Sequence, residues 1–131
     1  MTFALIVSSD KYSLLELAKT LEKNDVDITW AESSSDALSM TSNTMFDLII
    51  ADEFLENMTG LEFIKKIVPV NPMLNCAVVS SLSQGDFHEA SEGLGILMQL
   101  PVQLKEKDAD ELLQRLKTIL NLTHKTGAVE K

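Results

Sequence analysis

One carboxylate, Asp52, stands where the apolar run Leu48-Ile49-Ile50-Ala51 breaks into the loop Glu53-Phe54-Leu55-Glu56-Asn57-Met58-Thr59-Gly60. A run without polar interruption reads as a strand buried on both faces, typical of a central parallel strand. Reaction and ligand sites of open α/β sheets gather beyond the carboxyl ends of such strands, which makes Asp52 a candidate for chemistry. The alternative is an Asp that opens a turn or caps a backbone amide. Small hydroxyls end two other apolar runs, at Ser8-Ser9-Asp10 and at Ser80-Ser81. The remaining reactive side chains point elsewhere. Cys76 lies in an apolar run and reads as a buried reduced thiol. His88 and His124 are far apart in polar surroundings and read as solvated side chains. The chain has no Gly-x-Gly-x-x-Gly fingerprint, Walker-type loop or His/Cys cluster of metal spacing, which removes dinucleotide, nucleotide and zinc chemistry.

The elements that must position Asp52 come in a repeating order. Phe3 to Val7 is a continuous apolar strand. Ser13 or Asp10 can cap the next helix, where Leu14, Leu17, Ala18 and Leu21 recur at helical spacing as far as Asn24. Val26-Asp27-Ile28-Thr29-Trp30 alternates apolar with polar, the pattern of a sheet edge. Ser33-Ser34-Ser35-Asp36 supplies N-cap chemistry for a helix ending near Asn43. After the central strand, Gly60 closes the loop, and Leu61, Ile64, Ile67 and Val68 define a helix that Pro69 and Pro72 stop. Cys76 to Val79 is the fourth strand, and Gln84 to Glu92 a weak helix anchored by Phe87 and Ala90 and ended by Gly93 and Gly95. Ile96 to Leu100 is the fifth strand, and Leu112, Leu113, Leu116, Ile119 and Leu120 line one face of a last helix. Residues 123–131 form a polar tail with no core-forming pattern, expected to fray. Strands alternating with helices over short connections require right-handed crossovers, so the expected architecture is doubly wound α/β, a parallel sheet covered on both faces.

Length and composition agree with this. The chain has 131 residues, 45% hydrophobic and 24% charged, which is room for one domain with a real core. No apolar run approaches the ~20 residues of a membrane helix, and the amino terminus lacks a basic segment before its apolar run. A cytoplasmic location without membrane contact is the expectation. A net charge of -9 would repel phosphate backbones and anionic lipid, so a protein is the expected partner and direct nucleic-acid binding is disfavoured.

The order of elements and the block around Asp52 resemble the receiver domain of two-component response regulators, over nearly the whole span from Phe3 to Leu122. Around its phosphoacceptor that family shows Asp-Leu, three apolar residues and Asp, then a Met-Pro-x-Met-x-Gly loop and a helix opening Leu-Glu. Asp47 to Asp52 matches, Leu55-Glu56-Asn57-Met58-Thr59-Gly60 keeps the loop spacing, and Leu61-Glu62 opens the helix. The resemblance implies a flavodoxin-like fold with a five-stranded sheet in the order 2-1-3-4-5 and helices on both faces. It implies a receiver-like domain over residues 1–122 and Asp52 as phosphoacceptor. It also implies Ser80 as the hydroxyl ending the fourth strand, and a pocket completed by Ser8, Ser9, Asp10, Phe54 and Leu100.

Several positions depart from the family. The adjacent acids that hold Mg²⁺ in family members are Ser8 and Ser9 here, with Asp10 one place on, so Asp10 and Asp52 form only a weak metal set and Mg²⁺ affinity is expected to be reduced. The phosphoryl-pairing lysine falls on Leu100, which offers no charge or donor. The aromatic switch position falls on Leu97. Phosphoryl transfer depends on positioning and on neutralising the equatorial oxygens, and both usual positive charges are replaced. The expected function is a divergent receiver that signals as a protein-interaction module, not an enzyme, with inefficient phosphorylation at Asp52. The alternative is a working phosphoacceptor switched through Asp52 by a histidine kinase. Implied partners are a histidine kinase or a downstream signalling protein, and a homodimer is compatible with the apolar last helix. A flavin-binding relative would need a phosphate-cradling glycine loop after the first strand, which Ser8-Ser9-Asp10-Lys11-Tyr12-Ser13 does not offer.

Overall fold

The apolar runs become the centre of the molecule. In the computed structural model, which describes the backbone of residues 2–128 and the side chains of residues 2–120, β1 (Thr2–Val7), β3 (Leu48–Ala51) and β4 (Asn75–Val79) lie side by side. β2 (Val26–Ala31) and β5 (Met98–Leu100) form the edges, giving the parallel order β2-β1-β3-β4-β5. Alternate residues of the inner strands enter opposite core layers. Ala4, Ile6, Leu48, Ile50, Ala77 and Val79 pack with α1 (Leu15–Lys23) and α5 (Glu106–Ala128). Leu5, Val7, Ile49, Ala51, Cys76 and Val78 face α2 (Ser34–Asn43), α3 (Gly60–Ile67) and α4 (Gln84–Ala90). Continuous apolar sequence is needed here because both sides of each strand leave water. On β2 the exposed Asp27 and Thr29 confirm an edge, and the Lys11 ammonium sits 5.2 Å above the half-buried Trp30 ring.

Four boundaries differ from the sequence reading, each for a local reason. Lys11–Leu14 is a 3₁₀ turn before α1, capped by Asp10, whose carboxylate accepts from the Tyr12 N–H; Ser13 caps nothing and turns toward the sheet. α4 stops at Ala90, where the Ser91 hydroxyl bonds the Phe87 carbonyl, and Phe87 is its one buried residue. β5 begins at Met98 because residues 96–97 emerge from the left-handed turn of Gly93 (φ 83) and Gly95 (φ 65), and the Leu97 carbonyl takes the Arg115 guanidinium instead of a ladder partner. α5 runs on to Ala128, beyond the last core leucines, since extending an anchored helix needs no new nucleus. The end of the expected tail, residues 129–131, and the His124 side chain lie outside the described residues. On α5, Leu112, Leu113 and Leu116 are buried, Leu120 is half-buried and Ile119 is 38% exposed, so the expected five-residue face is buried over its first three members.

Candidate functional site

Asp52 leaves β3 still in register: its N–H donates to the Val7 carbonyl at 3.0 Å and extends the β1–β3 ladder by one residue. The loop then folds back. The Gly60 N–H reaches the Glu53 carbonyl at 2.9 Å, and a Cβ on Gly60 would stand 2.1 Å from the Asp52 carbonyl oxygen. Only glycine permits that approach. Thr59 and Glu62 close the turn as a reciprocal capping box, which holds the Glu62 carboxyl below its ordinary pKa, chiefly through the Thr59 backbone N–H and then its hydroxyl.

The Asp52 carboxylate is half-buried and already coordinated by hydrogen bonds. Oδ2 lies 2.7 Å from Ser8 Oγ and 2.9 Å from Ser13 Oγ, and Oδ1 accepts the Glu53 N–H at 2.8 Å. Each hydroxyl is also 2.8 Å from the Asp10 carbonyl, so its single proton is shared between two acceptors. Ser8 is buried and in turn accepts the Asp10 N–H at 3.1 Å.

Glu53, half-buried, reaches to the other side of β3. Its Oε2 accepts both the Ser81 N–H and the Ser81 hydroxyl, each at 2.6 Å, which ties the β3–α3 loop to the β4–α4 loop. Among the described residues neither Asp52 nor Glu53 is ion-paired; the ion pairs found are Lys19–Glu16 and Arg115–Glu111, both on helices.

The other sequence-predicted residues are only partly brought together. Ser9 and Asp10 are exposed, and the Asp10 carboxylate is spent on its own turn. Ser80 is buried beside the site, but its hydroxyl accepts the Leu82 N–H at 3.2 Å and makes no hydrogen bond to Asp52 among the described residues. Leu100 reaches this edge with its backbone, its carbonyl accepting the Ser80 N–H, while its side chain is fully buried in the α1/α5 layer and not in the pocket. An aliphatic side chain gains more in the core than at a polar rim. Phe54, held by a backbone bridge to Thr59, is 67% exposed and lines a groove beside the site. His88 is exposed on α4, and Cys76 is buried, which pushes its thiol up to about 12.

Sequence reasoning missed Ser13 as a partner of Asp52, gave Glu53 no role, and named Ser81 only as a hydroxyl ending its strand. The available signal was the repeated tripeptide Val-Ser-Ser at the ends of β1 and β4, the strands flanking β3. Receiver domains generally bind Mg²⁺ at the phosphorylation site, and a hard divalent cation takes several anionic or carbonyl oxygens turned to one point. Asp52 Oδ2 has two neutral serine hydroxyls beside it, the Asp10 carboxylate accepts the Tyr12 N–H of its own turn, and no group of three or more His, Cys, Asp or Glu suited to a metal occurs among the described residues.

The parallel sheet in the order 2-1-3-4-5, with acids and hydroxyls at its carboxyl edge, defines a flavodoxin-like α/β domain. The response regulator receiver domain family matches residues 4–117, and the chain belongs to that family, whose members act in two-component signal transduction. It is 27% identical over 124 residues to the transcriptional regulatory protein ZraR of Salmonella typhimurium, covering 95% of this chain and 27% of that protein. It is also 27% identical over 97 residues to a response regulator receiver protein of Anaeromyxobacter sp., covering 74% of this chain and 41% of that protein. The chain thus spans well under half the length of these curated relatives. A CheY-like receiver domain protein from Methanospirillum hungatei superposes with a TM-score of 0.79 at 21% identity, covering 96% of this chain and 98% of that one. A two-component response regulator from Clostridium difficile gives 0.78 at 22%, covering 92% and 97%. These likenesses establish the shared fold. No helix among the described residues is long and apolar enough to cross a membrane.

Proposed function

We propose that this domain is a divergent receiver that acts in signal transduction as a protein-interaction module, with Asp52 phosphorylated inefficiently. One observation carries the reading: the Asp52 carboxylate is occupied by the Ser8 and Ser13 hydroxyls and the Glu53 N–H, with no cation beside it among the described residues. Hydroxyl dipoles satisfy a monoanionic carboxylate but neutralise little of the extra charge a phosphoryl group brings. Mg²⁺ binding is correspondingly weak, and with Leu100 in the core no ammonium replaces it. The partner is a histidine kinase or a downstream signalling protein in the cytoplasm, met by a domain spanning residues 1–122.

The test is mass-resolved labelling by a small phosphodonor with Mg²⁺. Wild type labels slowly, and Ser8→Asp and Ser9→Asp together raise both Mg²⁺ affinity, read by Trp30 fluorescence, and labelling at Asp52. Rapid, stoichiometric labelling of wild type overturns the proposal. It would favour the second reading, a phosphoacceptor switched by a histidine kinase, which the alignment of Asp52 on β3 and the buried Ser80 at the end of β4 support. Transcriptional regulation belongs to the named relative, of which this chain matches 27%.

A further inference from the structure

Beside the Asp52 cluster, the β3–α3 and β4–α4 loops enclose a groove of about 250 Å³ lined by Phe54, Leu61, Val78, Val79 and Leu82, with Glu53 at its rim. Val78 and Val79 are buried, whereas Phe54 is 67% and Leu82 42% exposed, so two large apolar side chains face water across a shared depression. Both are fixed by backbone contacts. Phe54 is bridged to Thr59, the Leu82 N–H bonds Ser80 Oγ, and the Leu82 carbonyl accepts the Gln99 amide at 2.8 Å. The Glu53–Ser81 contacts join the two loops behind them. A cleft so braced loses little entropy when filled, which favours binding over collapse.

Charge identifies the occupant. Glu53 is the one charged residue lining the groove, and its Oε1 makes no hydrogen bond or ion pair among the described residues. The chain carries 20 acidic against 11 Lys and Arg residues, which steers cationic partners toward it and repels a second copy.

We propose that this groove docks a basic segment of a partner protein, which seats one aliphatic or aromatic side chain between Phe54 and Leu82 and brings a Lys or Arg to Glu53. The inference rests on the reading of the domain as an interaction module and names where and with what chemistry it binds.

The test uses amide spectra of the whole chain titrated with acetyl-Arg-Leu-Lys-Phe-Arg-amide and with its acidic counterpart, acetyl-Glu-Leu-Glu-Phe-Glu-amide. The basic peptide is expected to shift Phe54, Ser81 and Leu82 with a Kd on the order of 1 mM, weakened about tenfold in Phe54→Ala or Leu82→Ala and less in Glu53→Gln. Phe54 and Leu82 are solvent-exposed, and Glu53→Gln keeps a side-chain oxygen that can accept from Ser81, so these variants fold. No binding, equal binding of the acidic peptide, shifts spread over the surface and indifferent to Phe54→Ala, or self-association through these residues would each overturn the groove. None of those outcomes touches the module reading, which falls instead if association with the physiological partner is lost in Asp52→Asn.

Discussion

The same three residues, Val-Ser-Ser, end the two strands that flank β3, and the fold uses them differently. At the end of β1 the first serine, Ser8, is buried and bonds Asp52, while Ser9 is exposed. At the end of β4 the first serine, Ser80, closes its own loop through the Leu82 N–H, and the exposed second serine, Ser81, bonds Glu53. Two consecutive acids are thus shared out, one to each neighbouring strand. The difference lies in the path of the chain beyond each tripeptide. After β1 the chain enters a 3₁₀ turn that returns Ser13 to Asp52, and after β4 it bends outward to the Ser83 cap of α4. Identical local sequence therefore sends the buried first serine to Asp52 in the β1 arm and the exposed second serine to Glu53 in the β4 arm.

Gly60→Ala should erase the comparison altogether, since the added Cβ would meet the Asp52 carbonyl at 2.1 Å and displace the loop that carries both acids. A loss of about 3 kcal/mol in urea unfolding is expected, the upper range for overpacking against backbone. A variant as stable as wild type would show that the loop can shift without consequence. Truncating the serines grades the two arms. Ser8→Ala strips a buried hydroxyl and leaves the Asp10 N–H without its acceptor, at a cost of about 2 kcal/mol. Ser81→Ala removes an exposed hydroxyl while the Ser81 N–H keeps Glu53, and should cost under about 1 kcal/mol. The reverse order would mean that the β4 arm is the tighter one.

Strand β4 itself has a pH sensitivity, through Cys76 near its amino end. Burial raises the Cys76 thiol from 9.0 to about 12. Above pH 9 the unfolded chain therefore gives up this proton while the folded chain keeps it. Stability is full below that value and declines toward pH 12, by up to about 1.4 kcal/mol per pH unit. Cys76→Ala should remove that slope at some cost in packing, and an unchanged alkaline profile would refute the assignment. The smallest effect is at the acid end. The Thr59 contacts depress Glu62, so the stability they provide is present above the ordinary carboxyl value of 4.5 and lost as pH falls through the lower folded value. Glu62→Gln, which removes the titrating group, should flatten that part of the acid limb, measured by thermal unfolding across low pH.

Strand and helix identity was legible because burial imposes its period on neighbouring residues. Leu48 to Ala51 had to be a strand buried on both faces, and Leu14, Leu17, Ala18 and Leu21 had to be one side of a helical stretch, whatever lay opposite. Asp52 was legible for a related reason: it is the first polar residue after the central run, and the end of a central strand is a fixed place in such a sheet. That Ser8, Ser9 and Leu100 carry no charge was equally plain, because the lack of a charge is a property of one position.

Pairing was decided by the tertiary structure. Ser13 meets Asp52 across 39 residues and Ser81 meets Glu53 across 28, and both bonds depend on loop paths that no periodicity encodes. From sequence Ser13 and Asp10 were equivalent caps. Only the 3₁₀ turn separated them, giving Asp10 to the Tyr12 N–H and Ser13 to the site. Leu100 shows the same division: its residue type showed a side chain without charge or donor, and the packing of β5 decided that it would fill the α1/α5 core. Apolar burial follows from local composition because it is non-directional. A hydrogen bond between loops requires two distant backbones to arrive within about 3 Å of one another, and that is settled only when the whole sheet has closed.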